Sequence, residues 1–248
     1  MKPISKLKIT LFFLLFVNTL FSQTQEPKLI ITHLTGDFYI YTTYNNYKGT
    51  KVPANGMYVL TNNGAVILDS PWDETQFQPL LDSIKVKHNK NVVMCIATHS
   101  HEDRTAALTY YKGKGIKTYT TKQTDEISKK KEGNRAEFLI EKDTVFSIGN
   151  HKFQTYYGGA GHAPDNIVIW FGKEKILYGG CLIKSVEASD LGNLGDANVP
   201  EWEKTLKKLQ SKFQKPNFII PGHQRWNSTN SINHTLKLIR QYNSETKK

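Results

Sequence analysis

The feature that most constrains the fold is a short apolar segment followed at once by several metal-binding residue types. Residues 91–98 form a nearly continuous apolar run, which predicts a strand buried on both faces. His99, His101 and Asp103 come directly after it. Alternate side chains of an extended or turning backbone share a side, so we expect these three to converge. The segment predicts a layered fold with a metal site at the end of a buried strand.

The residue types in this cluster favour zinc. Neutral imidazoles at close spacing are preferred zinc ligands, and a carboxylate adds an anionic oxygen. A single histidine is usually an ordinary structural residue, but His-x-His-x-Asp after a buried strand indicates a metal site. Two histidines and one carboxylate do not complete such a site, so the rest of the chain has to supply further ligands.

Three more candidate ligands occur beside small residues near predicted strands. His162 lies in a glycine-rich turn, Cys181 follows Gly179-Gly180, and His223 follows Pro221-Gly222. The six candidates divide into two sets, which are His99, His101 and His162, and Asp103, Cys181 and His223. Each set leaves a position for water, as catalytic zinc sites do, and the thiolate excludes magnesium and calcium. A closed structural zinc site and a Cys95–Cys181 disulfide are the alternatives.

The remaining pattern predicts an α/β layered sandwich. Asn63-Gly64 predicts a hairpin turn between two strands, and polar residues 44–55 before it predict a mobile loop. Ser70-Pro71 predicts a helix N-cap with proline in the first turn. Further strands are predicted at 166–171, 175–178 and 217–220, and further helices from Pro200 and around 232–242.

The N-terminus predicts export. Residues 1–22 carry three lysines and then an apolar run that is too short to span a bilayer, which is typical of a secretory signal. Its removal leaves a single domain, residues 23–248, and lowers the formal net charge from +11 to +8. The positive charge is diffuse and the chain is predicted to be exported, so we expect no nucleic-acid partner.

These motifs resemble a known family. His-Ser-His-Glu-Asp, Gly-His, Gly-Gly-Cys-Leu-Ile-Lys and Pro-Gly-His occur in this order over essentially the whole mature chain. They are similar to the class B metallo-β-lactamases, specifically the broad-spectrum di-zinc subclass with a three-histidine site and an Asp-Cys-His site. The resemblance implies a four-layer αββα sandwich and hydrolysis of penicillins, cephalosporins and carbapenems by a metal-bound hydroxide, which confers antibiotic resistance.

The resemblance also implies roles for individual residues. Asp103 is expected to orient the nucleophile as well as to bind the second zinc ion. Lys184 is expected to bind the substrate carboxylate, and Asn193 to orient the substrate or the oxyanion, or else to be only a turn residue. Residues 44–55 correspond to a flap over the substrate, and Asp69 and Arg104 are expected beside the second metal ligands. The resemblance further implies a periplasmic monomer with no stable membrane association.

Two departures separate this chain from other members of the larger superfamily. The corresponding motif of the thioesterases and RNA-processing nucleases in this superfamily is similar to His-x-His-x-Asp-His. This chain instead has Arg104 after the aspartate. Those relatives also place a bridging carboxylate where this chain has Cys181. A zinc hydrolase of thioesters or lactones, a nucleic-acid-processing enzyme and a periplasmic zinc-binding protein are the alternatives.

Overall fold

The computed structural model describes residues 29–246, so the predicted signal segment lies outside the described residues. This part of the chain contains twelve β-strands and six α-helices. The strands are β1 Leu29–Thr35, β2 Phe38–Tyr47, β3 Thr50–Thr61, β4 Gly64–Leu68, β5 Val92–Ile96, β6 Lys117–Thr121, β7 Phe138–Ile140, β8 Val145–Ile148, β9 His151–Tyr156, β10 Val168–Phe171, β11 Ile176–Gly180 and β12 Phe218–Pro221. The helices are α1 Phe77–His88, α2 Glu102–Thr105, α3 Leu108–Gly113, α4 Lys122–Lys130, α5 Val199–Lys212 and α6 Ser231–Glu245.

The strands form two sheets. The first has the order β1-β2-β3-β4-β5-β6-β7, antiparallel from β1 to β4 and parallel from β4 to β7. The second has the order β12-β11-β10-β9-β8, and only its β11–β12 pair is parallel. Parallel neighbours end at the same edge of a sheet, so residues that follow β11 and β12 lie close together.

Three apolar clusters define four layers. The central cluster lies between the two sheets and contains Phe38 and Met57 from the first sheet and Phe171 and Tyr178 from the second. A second cluster packs the other face of the second sheet against α5 and α6, around Trp202. The third packs the first sheet against α1 and α3. The predicted four-layer αββα sandwich is therefore confirmed.

Most predicted elements are present with small shifts in their bounds. The buried strand is β5, and the helix predicted from Pro200 is α5, which Asn198 caps by accepting a hydrogen bond from the Glu201 N–H. The predicted hairpin is β3–β4, although its turn residues are Asn62 and Asn63, and Gly64 begins β4 with φ +130°. None of the helices in residues 29–246 has the length and apolar character needed to cross a bilayer.

The prediction of a mobile loop at residues 44–55 was wrong. These residues continue β2 and β3 as a regular antiparallel ribbon, with Tyr47 opposite Thr50 at its tip. We call residues 44–55 the flap hairpin. Backbone hydrogen bonds between β2 and β3 hold the ribbon together, and these bonds do not depend on an alternation of apolar and polar residues.

The prediction of a helix N-cap at Ser70-Pro71 was also wrong. A 3₁₀ turn, Glu74–Gln76, comes first, and Asp73 caps it by accepting a hydrogen bond from the Thr75 N–H at 2.8 Å. The Ser70 hydroxyl is used elsewhere, because its oxygen accepts the Ala107 N–H at 3.0 Å. Ser70 therefore joins β4 to the segment that carries the first metal-binding motif.

Candidate metal centre

The turn after β5 is held in place by a buried aspartate. Asp69 follows β4, and its carboxylate accepts the Thr98 N–H at 2.7 Å and the Thr98 hydroxyl at 3.0 Å. His101 is extended and caps α2, so Asp103 lies in the first turn of a helix rather than on an extended segment. The three residues converge, as predicted, but they do so because the backbone turns into α2.

The three histidines form one compact cluster. The ring centroids of His99, His101 and His162 lie 4.7 to 5.2 Å apart. The Nδ1 atom of His101 is 3.2 Å from the Nε2 atom of His162. His101 turns its other nitrogen, Nε2, to the Asp196 carboxylate at 2.9 Å. That carboxylate favours a proton on Nε2 of His101 and so leaves a lone pair on Nδ1, facing His162.

Burial keeps two of these histidines neutral. It lowers the pKa of His99 well below its usual value, and the neighbouring His101 adds to the shift. Burial lowers the pKa of His162 in the same direction, with the Lys184 charge as the next cause. A neutral imidazole keeps a lone pair for a metal ion, so the environment favours the ligand form of both rings.

The second cluster contains an oxygen, a sulfur and a nitrogen donor. An Asp103 oxygen (Oδ2) lies 3.4 Å from the Cys181 sulfur and 3.1 Å from Nε2 of His223, and the last two atoms are 3.3 Å apart. The second nitrogen of His223, Nδ1, is 2.6 Å from the Pro53 carbonyl oxygen, which fixes the ring orientation. β11 and β12 place Cys181 and His223 side by side because the two strands are parallel.

Arg104 is buried behind this second cluster. Its guanidinium donates to Asp103 at 2.9 Å, to the Cys181 sulfur at 3.0 Å and to the Gly222 carbonyl at 2.9 Å. It also pairs with Asp69 at 3.3 Å. The predicted neighbours of the second metal ligands are thus both present, with Arg104 in direct contact and Asp69 behind it.

Burial and the charge of Arg104 oppose each other at two carboxyl groups, and the net shifts of their pKa values have opposite directions. Burial raises the pKa of Asp103, but the Arg104 charge and the hydrogen bond from His223 outweigh it and hold that pKa well below its usual value. Burial raises the pKa of Asp69 to about 6, against the opposing charge of Arg104. Asp103 is therefore an ionised ligand at neutral pH.

The arrangement fits two metal ions of the zinc type. Nε2 of His99 is buried with no hydrogen-bond partner in the described part of the chain, as expected for a nitrogen whose partner is a metal ion. Donor atoms within 4.8 Å of one another occur in three overlapping sets, which are His99-His101-Asp103, His99-His162-Cys181 and Asp103-Cys181-His223. Imidazole and thiolate donors suit zinc and not magnesium or calcium.

The alternative uses of the cysteines and the remaining histidines are excluded within residues 29–246. Cys95 and Cys181 are both free thiols, so the disulfide alternative is wrong. The other histidines make ordinary structural hydrogen bonds: His33 with the Gly36 carbonyl, His88 with Tyr58, His151 with Asp37 and His234 with the Ala188 carbonyl.

A cavity of about 770 Å³ opens over both clusters. Lys184 and Asn193 line it on one side, and the flap hairpin lines it with Tyr47, Lys48 and Val52. The Lys184 ammonium lies 5.4 Å from the centre of the Trp202 ring. Asn193 is exposed, and its side-chain oxygen accepts the Gly195 N–H at 3.2 Å, so it is a turn residue as well as a lining residue.

Three residues near the site were missed by sequence reasoning. Asp196 holds His101, and Lys131 donates to the same Asp196 oxygen at 2.8 Å. Asn55, in the flap hairpin, donates to the Pro221 and Gln224 carbonyls and so ties the hairpin to the loop that carries His223. No pattern in the sequence marks these contacts, since each joins segments that are far apart along the chain.

The fold and the two ligand clusters define a class of dinuclear metallohydrolases, in which ligands from both sheets of an αββα sandwich meet at the edge of the sheets. The model of the metallo-beta-lactamase superfamily matches residues 49–223, and the chain belongs to this family. The resemblance inferred from the sequence motifs is confirmed.

Curated relatives cover most of the chain. It is 44% identical over 223 residues to the type 2 metallo-beta-lactamase of Elizabethkingia meningoseptica, and the aligned region covers 90% of each chain. It is 40% identical over 235 residues to metallo-beta-lactamase IND-1 of Chryseobacterium indologenes, covering 94% of this chain and 98% of the relative. The crystal structure of metallo-beta-lactamase IND-7 superposes with a TM-score of 0.84 at 41% identity, over 87% of this chain and 100% of that one.

Proposed function

We propose that this chain is a zinc-dependent β-lactamase that hydrolyses penicillins, cephalosporins and carbapenems and so confers resistance to them. The observation that carries the proposal is the meeting of a three-histidine cluster and an Asp-Cys-His cluster under one cavity of about 770 Å³. Relatives at 40–44% identity over nearly the whole chain are named metallo-beta-lactamases.

The two clusters would each hold one zinc ion. His99, His101 and His162 are the ligands of the first, and Asp103, Cys181 and His223 are the ligands of the second. Zinc bound at such open sites lowers the pKa of a water molecule to about 7 and polarises a carbonyl oxygen, which makes amide hydrolysis feasible at neutral pH. In the reaction, water adds to the lactam carbonyl carbon, the C–N bond breaks, and the nitrogen takes a proton.

The side chains of the cavity orient the reactants. The low pKa of Asp103 keeps its carboxylate ionised, so it can accept a hydrogen bond from the attacking water and align it. The Lys184 ammonium, on the cavity wall, is suited to the carboxylate that these antibiotics share. Asn193 also lines the cavity, and its amide N–H would be donated to the substrate or the oxyanion.

Imipenem hydrolysis by the purified protein tests this function. Loss of absorbance at the carbapenem chromophore, abolished by a chelator and restored by zinc, is the expected result. Absence of turnover in protein that metal analysis shows to carry zinc would overturn the proposal and direct the search to thioesters and lactones.

A lysine substitution tests the substrate role of Lys184. In Lys184→Ala we expect KM for imipenem to rise about tenfold with kcat nearly unchanged, since a charge-assisted contact of about 1–2 kcal/mol is lost. Lys204→Ala is the matched control, because Lys204 is exposed and pairs with Glu201 on α5. An unchanged KM in Lys184→Ala would remove this residue from the substrate site.

The location and state of the protein are part of the proposal. Residues 1–22 would direct export, and cleavage would release residues 23–248 as a monomeric periplasmic domain without stable membrane association. The relatives named above are bacterial. Recovery of the protein in the periplasmic fraction tests its export and its lack of stable membrane association. N-terminal sequencing of that protein tests the cleavage, and its mass in solution tests the monomeric state. An uncleaved chain or a dimeric mass would contradict the corresponding point.

A further inference from the structure

The flap hairpin has a backbone site that the neighbouring strands do not pair. Tyr44 lies opposite Pro53 of β3, but its N–H and carbonyl groups both point away from β3. On the other side of β2, the described part of β1 begins with Leu29, which lies opposite Thr43. Tyr44 is therefore the first residue of β2 beyond the described end of β1. Its N–H and carbonyl groups need a partner from elsewhere.

The side chain of Gln76 supplies that partner. Its amide nitrogen donates to the Tyr44 carbonyl at 2.8 Å, and its amide oxygen accepts the Tyr44 N–H at 3.1 Å. The pair of hydrogen bonds is the one that a neighbouring strand would make. Gln76 is 1% exposed and ends the 3₁₀ turn that Asp73 caps, so the amide is held on a fixed support.

The contact lies at the base of the part of the hairpin that overhangs the cavity. Beyond Tyr44, the residues Tyr47, Lys48 and Val52 line the cavity. Tyr47 also contacts Trp72, with ring centroids 6.0 Å apart, and Trp72 precedes the turn that carries Gln76. One segment, residues 72–76, thus holds the hairpin at its base and near its tip.

We propose that Gln76 is a positioning residue for the reaction, which acts by clamping the flap hairpin over the cavity. It touches neither substrate nor metal ligands in this role. The clamp fixes the height and direction of the hairpin. It therefore also fixes how far the two tip residues, Tyr47 and Lys48, lie from a substrate on the metal centre. The inference deepens the proposed β-lactamase function and rests on it for its kinetic part.

Substitution by methionine tests the clamp. Gln76→Met keeps the length and volume of the side chain but removes both hydrogen bonds to Tyr44. Each neutral hydrogen bond is worth about fivefold in the equilibrium constant between the clamped and the released hairpin, so we expect the loss of both to raise KM for imipenem by about fivefold or more. We expect kcat, zinc content and the thermal midpoint to stay close to those of the wild type.

Gln78→Met is the matched control. Gln78 lies in the first turn of α1, where its amide nitrogen donates to Asp82 and its amide oxygen accepts from Tyr110, and neither bond reaches the hairpin. Hydrogen exchange at peptides covering residues 44–55 gives a readout that does not need activity. We expect faster exchange there in Gln76→Met and not in Gln78→Met, with unchanged exchange in β5 and β11.

The outcomes separate the clamp from a general structural role and from the proposed function. Unchanged hairpin exchange in Gln76→Met, or an equal KM change in Gln78→Met, would overturn the inference. A fall in kcat together with zinc loss and a lower thermal midpoint would also overturn it, because it would make Gln76 a structural residue only. If the wild type hydrolysed no β-lactam, the proposed function would fail, and faster exchange confined to residues 44–55 would still support the clamp.

Discussion

The three-histidine cluster and the Asp103–Cys181–His223 cluster lie side by side but are held in different ways. The first consists of three imidazole rings and is oriented from the surface, where Asp196, 38% exposed, binds His101. The second contains two acidic ligands and is held from inside by Arg104, which is 1% exposed. A buried charge network is stiff because any unpaired member costs several kcal/mol, whereas an exposed contact can be replaced by water. The comparison predicts that the second cluster depends on the protein interior and that the first can be altered from the surface.

Removal of the thiol should have the largest effect. In Cys181→Ala we expect imipenem turnover to fall by at least about 100-fold, since loss of a ligand should exceed the 10–100-fold effect of losing a residue that orients one. Metal analysis should show one zinc per chain in place of two. Cys95→Ala is the control, because Cys95 is an equally buried cysteine in the core of β5. Two retained zinc ions in Cys181→Ala would contradict the ligand assignment.

Removal of the buried cation should lower stability. Arg104→Met leaves Asp69 and Asp103 buried without the guanidinium that pairs with both, and we expect a loss of about 3 kcal/mol in the free energy of unfolding. Urea denaturation of the zinc-loaded protein measures it. Arg240→Met removes an exposed pair with Glu203 and should cost less than about 1 kcal/mol. Equal losses in the two variants would show that the buried position of Arg104 adds nothing to its contribution to stability.

The surface-held cluster should respond to a change in its orienting carboxylate. In Asp196→Ala we expect zinc affinity at the three-histidine site to fall by about tenfold, because His101 loses the group that fixes its tautomer. Competition with a chromophoric chelator measures the affinity of each site. The Asp103–Cys181–His223 site should keep its affinity, and an equal loss at both sites would argue that they are one coupled unit.

The smallest effect is expected at the outermost contact. Lys131→Met removes the exposed ion pair with Asp196 but leaves Asp196 on His101. Exposed pairs contribute about 0–1 kcal/mol, so zinc affinity should change by less than about fivefold. The same chelator competition measures it. A larger loss than in Asp196→Ala would mean that Lys131, and not the carboxylate, orients the histidine.

The fold class and the meeting of the six candidate ligands in two neighbouring clusters could be predicted because each signal is local. His99, Cys181 and His223 follow buried apolar strands, and small residues such as Gly222 allow close approach of the backbone: a Cβ there would lie 2.8 Å from the Cys181 sulfur. The family resemblance predicted Asp69 and Arg104 beside the second cluster, but their individual contacts could not be predicted, because they depend on pairing across the fold. Arg104 meets Asn55, Cys181 and Gly222 from three distant segments.

The two wrong predictions have the same origin in local composition. Tyr44-Asn45-Asn46 lacks apolar alternation, but the ribbon is stabilised by its own backbone pairing and by Gln76 from a distant turn. Ser70-Pro71 has the composition of a helix start, but the Ser70 oxygen is committed to the Ala107 N–H. In both places a contact that is remote in sequence overrides a local preference.

The ligand sets are divided between the two sheets. His99, His101 and Asp103 follow a strand of the first sheet, while His162, Cys181 and His223 follow strands of the second. Each ion in the proposed centre therefore cross-links the two halves of the sandwich. Metal binding and folding are thermodynamically linked. When the free zinc concentration is 1,000 times the dissociation constant of a site, binding there adds about 4 kcal/mol to the free energy of unfolding. The lifetime of the folded protein should then follow the concentration of free zinc.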